Sequence, residues 1–188
     1  MLRQMNLYGD SIRLGYQPFL EQRCKNKFCI SALEENCGDS SNLFSMLEKQ
    51  NPKDLIIINA GLHDIRKDNV TGCNQVSLGK YESNLRKIFE QLKGRHIFWL
   101  TSVPFNEKKY NQVNKIAEKN YSRFISDLKK YNKKSIEICS ELGVQYVDAE
   151  LHFNNLDLGK YRVDDGLHLK PEGYKKLAEF ICKEIAEA

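Results

Sequence analysis

Asp54-Leu55-Ile56-Ile57-Ile58-Asn59 sets four consecutive apolar side chains between two polar residues. A strand with one wet face would alternate apolar and polar. An unbroken apolar run of this length instead reads as a strand covered on both faces, the usual condition of a parallel sheet. Working outward, Asn6-Leu7-Tyr8 closes a first short strand and Lys27-Phe28-Cys29-Ile30 reads as a second. The run Asp54 to Asn59 is then the third, Arg95 to Ser102 (RHIFWLTS) the fourth and Val144 to Val147 the fifth.

Helical periodicity fills the intervals. Tyr81, Leu85, Ile88, Phe89 and Leu92 recur on one face, with Gly94 beyond them as a stop. Val113, Ile116, Ala117, Tyr121, Phe124, Ile125 and Leu128 predict one long helix running to Leu142 and ending at Gly143. Tyr174, Leu177, Ala178, Ile181 and Ile185 mark the last helix, with Pro171 suited to its first turn. Asp39 or Ser40 can cap a helix carrying Leu43, Phe44 and Leu47. Strands alternating with helices predict a parallel sheet with helices on both faces. No repeat or linker interrupts the pattern, so residues 1–188 are expected to form one domain. Leu62 to Leu78 and Leu151 to Leu167 read as irregular, and loops of that length are usually functional.

Composition narrows the classes. The 188 residues include 41% hydrophobic and 29% charged side chains, ordinary for a globular protein. The net charge of +4 is small and dispersed, and no basic patch interleaved with aromatics points to nucleic acid. No stretch is apolar enough to span a membrane and no signal-like segment opens the chain, so the expected location is cytoplasmic. The six cysteines form no C-x-x-C pair, which favours reduced thiols and no zinc site.

In open α/β sheets ligands bind beyond the carboxyl ends of the strands. Gly9-Asp10-Ser11 follows the first strand, Asn36-Cys37-Gly38 the second and Gly61-Leu62-His63-Asp64 the third. Asp165-Gly166-Leu167-His168 lies in the long loop after the fifth. A serine hydroxyl needs a base, and a histidine near neutrality serves. A carboxylate must hold that histidine's tautomer. Asp165 and His168 can supply both groups from one tight segment, and Ser11 would reach the same rim. Asp164 is also within reach of His168, but the three-residue spacing favours Asp165. Asp10 and Asp64 read as tethers for their loops.

These segments together resemble the SGNH, or GDSL-like, hydrolase family. The matching blocks are Tyr8-Gly9-Asp10-Ser11-Ile12, Gly38, Gly61-Leu62-His63-Asp64 and Asp165-Gly166-Leu167-His168, in the family's order. The resemblance implies a flavodoxin-like three-layer α/β/α sandwich with a five-stranded parallel sheet of order 2-1-3-4-5. It implies a catalytic triad of Ser11, His168 and Asp165. It implies an oxyanion hole of the Ser11 and Gly38 N–H groups and a third donor, which the family usually takes from an asparagine. Here His63 stands at that position, where an imidazole N–H could donate instead. Gly61 and Asp64 would support that loop. No metal or cofactor is implied. The expected reaction is hydrolysis of a small-acyl ester, with a sugar O-acetyl group as the leading substrate. Acyl transfer to a sugar hydroxyl, or a catalytically weak binding module on the same fold, are the alternatives. Nothing in the sequence speaks to oligomeric state.

Overall fold

The computed structural model describes every residue except Met1, Lys53, Asn155, Asp157 and Ala188. Its main sheet contains β1 (Arg3–Tyr8), β2 (Phe28–Ala32), β3 (Leu55–Ile58), β5 (His96–Leu100) and β7 (Gln145–Val147). All neighbours pair in parallel, in the order β2-β1-β3-β5-β7. Counting main-sheet strands alone, this is the 2-1-3-4-5 order. The β3 side chains Leu55 to Ile58 are all buried, as the unbroken apolar run requires.

The helices are α1 (Ser11–Cys24), α2 (Ser40–Leu47), α3 (Leu78–Gln91), α4 (Glu107–Ile116), α5 (Ile125–Leu142), α6 (Ala149–Asn154), α7 (Leu158–Tyr161) and α8 (Pro171–Glu187). α1 packs on α8, while α2 packs on α3 and α3 on α5, giving the layers of the sandwich. Asp39 caps α2 by accepting from Ser41 N–H and Asn42 N–H. Gly143 ends α5 in the left-handed conformation, which glycine adopts without a Cβ clash.

Two sequence expectations are corrected. The long helix from Val113 to Leu142 is two helices, α4 and α5. The chain turns at Glu118, which has φ of +52°, and then forms the short strand β6 (Tyr121–Ser122). β6 pairs antiparallel with β4 (Lys67–Asp68). Ile116, which periodicity placed in the core, is 75% exposed. The break turns Arg123 inward, where its Nε donates to the Leu62 carbonyl at 2.5 Å. That long-range bond leaves no mark in local periodicity. The segments read as irregular also hold structure: β4 in the first, and α6 and α7 in and beside the second.

The connections leaving β1 and β3 run to opposite sides in this strand order. Their carboxyl ends therefore flank the topological switch point, the usual crevice for a ligand in such sheets.

Candidate active site

Ser11 is the first residue of α1, directly after the turn that leaves β1. The turn is tightly built. Asp10 is fully buried and caps the helix, with its Oδ1 accepting from Ile12 N–H at 2.9 Å and from Asn59 Nδ2 at 3.0 Å. Burial pushes the Asp10 carboxyl up, opposed by those two bonds. Gly9 has no alternative here, because a Cβ would lie 2.0 Å from Asn59 Oδ1. Asn59 ends the apolar run of β3, so the first and third strands are tied together immediately behind the serine.

The segment Val163 to His168 faces Ser11. Ser11 Oγ lies 2.8 Å from His168 Nε2, and His168 Nδ1 lies 2.5 Å from Asp165 Oδ2. The other carboxylate oxygen, Oδ1, accepts from Leu167 N–H and His168 N–H at 2.7 and 2.9 Å. Burial disfavours the Asp165 anion, yet the His168 side chain and these two backbone donors outweigh it, so the carboxyl sits below its ordinary range. The competitor Asp164 points away and pairs with Lys109 at 2.7 Å. Gly166, with φ of +76°, lets the loop lie against the start of α4: a Cβ would meet Tyr110 N at 2.8 Å. Arg162, buried beneath, donates from Nη1 to the Leu167 carbonyl at 2.5 Å.

The expected oxyanion donors also gather. Cys37 N–H donates to the Gly9 carbonyl at 2.9 Å, which lays the Gly38 turn beside the serine turn. Gly38 has φ of +64°, and a Cβ there would stand 3.9 Å from His63 Nδ1. The glycine and the imidazole therefore border one space. The Gly38 N–H already donates to Asn36 Oδ1 at 2.8 Å, a competitor that sequence reading did not foresee. His63 is half-buried, and burial, aided by the Arg66 and Arg123 charges, lowers its pKa to about 4. It is neutral near pH 7, with one ring N–H able to donate. Asp64 accepts from Ser40 N–H at 3.0 Å and from Ser40 Oγ–H at 2.5 Å, pinning the third loop to α2. Burial outweighs those bonds and raises its pKa to about 7. Gly61 passes over Ser102, whose Oγ would lie 2.5 Å from a Cβ.

Asn59, Arg123 and Arg162 escaped the sequence reading. Asn59 could have been found, because it directly follows the third strand on the reactive rim. Arg123 was hidden inside the stretch read as one long helix, and Arg162 inside the stretch read as irregular. Arg123 is buried, bonded to the Tyr110 hydroxyl and the Leu62 carbonyl, and its ring contact with Tyr110 is 4.8 Å. Burial, reinforced by Arg66, brings its pKa down to about 9. Among the described residues no three His, Cys, Asp or Glu side chains are grouped to hold a metal ion, and no helix is long and apolar enough to cross a membrane.

A serine, a histidine and a carboxylate in hydrogen-bonded sequence at a sheet switch point are the arrangement that serine hydrolases use. The family profile described as GDSL-like Lipase/Acylhydrolase matches residues 9–181, and the chain belongs to that family of ester hydrolases. It is 29% identical to GDSL esterase/lipase CPRD49 of Arabidopsis thaliana, over 98% of this chain and 79% of that protein. The fold is similar to a lipase/acylhydrolase from Enterococcus faecalis, with a TM-score of 0.82 and 15% identity over 99% of this chain and 96% of that one. It is also similar to the acetyl xylan esterase AlAXEase, with a TM-score of 0.76 and 16% identity over 97% and 99% of the two chains.

Proposed function

We propose that this chain hydrolyses small-acyl esters, in particular O-acetyl groups on carbohydrate, through an acyl-enzyme on Ser11. The observation that carries the reading is the continuous bond path from Ser11 Oγ through the His168 imidazole to Asp165. Ser11 Oγ attacks the acyl carbonyl while His168 Nε2 takes its proton. Asp165 holds Nδ1–H in the required tautomer and stabilises the imidazolium. The Ser11 N–H at the start of α1 and the Gly38 N–H receive the oxyanion, the latter exchanging Asn36 Oδ1 for the stronger charged acceptor. The neutral His63 ring adds a third donor. His168 then protonates the departing alcohol, and water repeats the sequence to free the acid.

The preference for a small acyl group rests on the absence of an apolar lid in the sequence. The carbohydrate alcohol rests on likeness of fold to an acetyl xylan esterase, which is analogy. A screen of p-nitrophenyl esters from acetate to octanoate, run beside acetylated xylan, tests both. The expected result is highest kcat/KM on acetate and release of acetate from the polymer. Fluorophosphonate labelling tests the mechanism: label must attach to Ser11 and vanish in Ser11→Ala. Native protein that takes no label would instead favour the weak binding module.

A further inference from the structure

α1 and α8 lie against each other from one rim of the sheet toward the other. Near the active site Gly15 makes room for the ring of Tyr174, which would stand 2.1 Å from a Cβ. At the far end, Cys24 on α1 and Cys182 on α8 bring their sulfurs to 2.9 Å, although 158 positions separate them in the chain. Both are free thiols, the first buried and the second half-buried. A disulfide bond measures about 2.05 Å, so closing the pair takes a movement of about 0.9 Å between side chains that already touch.

The pair borders a cleft of about 690 Å³ whose polar lining is mostly basic: Arg3, Arg23, Lys27 and Lys183, against the single acid Glu179. That acid is already engaged, since its Oε1 lies 3.4 Å from Arg23 Nη1. A thiol pair in a basic cleft is suited to an anionic partner. We propose that Cys24 and Cys182 form a redox-active dithiol, which a small anionic disulfide of the oxidised-glutathione class converts into an intramolecular cross-link between α1 and α8.

The exchange balances in two steps. The Cys24 thiolate attacks one sulfur of the small disulfide, forming a mixed disulfide and expelling one small thiolate. Cys182 gives its proton to water and attacks the Cys24 sulfur, forming the cross-link and expelling the second small thiolate. The protein loses two protons and two electrons, and one small disulfide is reduced to two thiols. Cys24 is suited to attack first: the bond it shares with Cys182 holds its thiol below the ordinary range, with Lys27 and Arg23 assisting against burial. The same bond raises Cys182, the resolving partner. Cys37 and Cys139 are pushed up by burial and are poor competitors.

The cross-link joins the helix that begins at Ser11 to the helix that begins three residues after His168. The proposal does not depend on the ester-hydrolase reading, because its readouts are mass and melting temperature. Native protein is equilibrated in glutathione buffers of rising oxidised fraction, quenched with acid, alkylated, digested and mass-mapped. The expected product is one peptide pair joined through Cys24 and Cys182, two hydrogens lighter and reversed by dithiothreitol. Its Tm should rise by about 5–10 °C, since the bond closes a very long loop. Cys182→Ser should stop at one glutathione on Cys24, and Cys24→Ser should give no cross-link. Oxidised glutathione should react about tenfold faster than the cationic disulfide cystamine at low salt. Separate alkylation of both cysteines in the most oxidising buffer, or adducts confined to the exposed Cys29 and Cys73, would overturn the proposal in the native protein without recourse to a variant. Equal rates for the two disulfides would overturn the part assigned to the basic cleft.

Discussion

The loop that presents the proposed nucleophile and the loop that presents the proposed base are held in opposite ways. Asp10 and Gly9 are locked by Asn59, 49 residues from Asp10, and by the neighbouring Gly38 turn. Their side of the site is part of the core. The Val163–His168 loop is largely self-contained. Asp165 binds His168 and two N–H groups within three residues, and the His168 and Asp165 side chains keep 37% and 34% of their surface exposed. One arginine, Arg162, supports it from below. Damage to the supports of the first loop should therefore appear as lost stability, and damage to those of the second as lost turnover.

Changes within the proposed triad set the outer limit of that contrast. Ser11→Ala should reduce kcat by about 10⁴–10⁶-fold and leave Tm almost unchanged. Asp165→Asn should cost about 10³–10⁴-fold in kcat, because an amide can favour the wrong histidine tautomer. The two supports come next and divide the loops. Asn59→Ala should lower stability by about 2–3 kcal/mol, because it strips a donor from a buried carboxylate, as denaturant melts would show. Arg162→Met should instead lower kcat by about tenfold, as the Leu167 carbonyl loses its anchor, with a smaller fall in stability. Equal stability losses from these two changes would erase the distinction.

The third loop is the smaller test. His63→Ala should lower kcat/KM by about 10²-fold, whereas His63→Asn should keep or raise it. Total loss in a folded His63→Asn protein would show that the ring does more than donate. The pH dependence has a definite sign. His63 titrates near pH 4 in the folded protein and near its ordinary value of about 6.5 when unfolded. Across that interval the unfolded chain binds the extra proton, so the folded state loses stability as pH falls. The His63 contribution is about 1–3 kcal/mol, and pH-dependent melts of His63→Asn should show a shallower slope.

The same contrast explains what the sequence made legible. Asp165 and His168 meet through a local loop, so their spacing carried the geometry. The buried run of β3 and the amphipathic face of α3 were equally readable, because each records burial in local order. The helix α1 was not recognised, since it holds an internal Pro18 and buries a charged Arg13 on its core face. The break between α4 and α5 was missed because Tyr121 and Phe124 extend a helical rhythm, while the cause of the break lies at Leu62 and in the pairing with β4. The occupied Gly38 N–H belongs to the same class: Asn36 is only two residues away, but its rotamer is a matter of three-dimensional space.

The reacting hydroxyl and its imidazole are 157 positions apart. A ribosome must therefore add all 157 positions after Ser11 before the two can meet. Until then the growing chain carries an ordinary serine and no esterase. Because such distant pairing is slow to form, the appearance of activity in a refolding experiment would time the arrival of the final helix, serving as a clock for the last step of assembly.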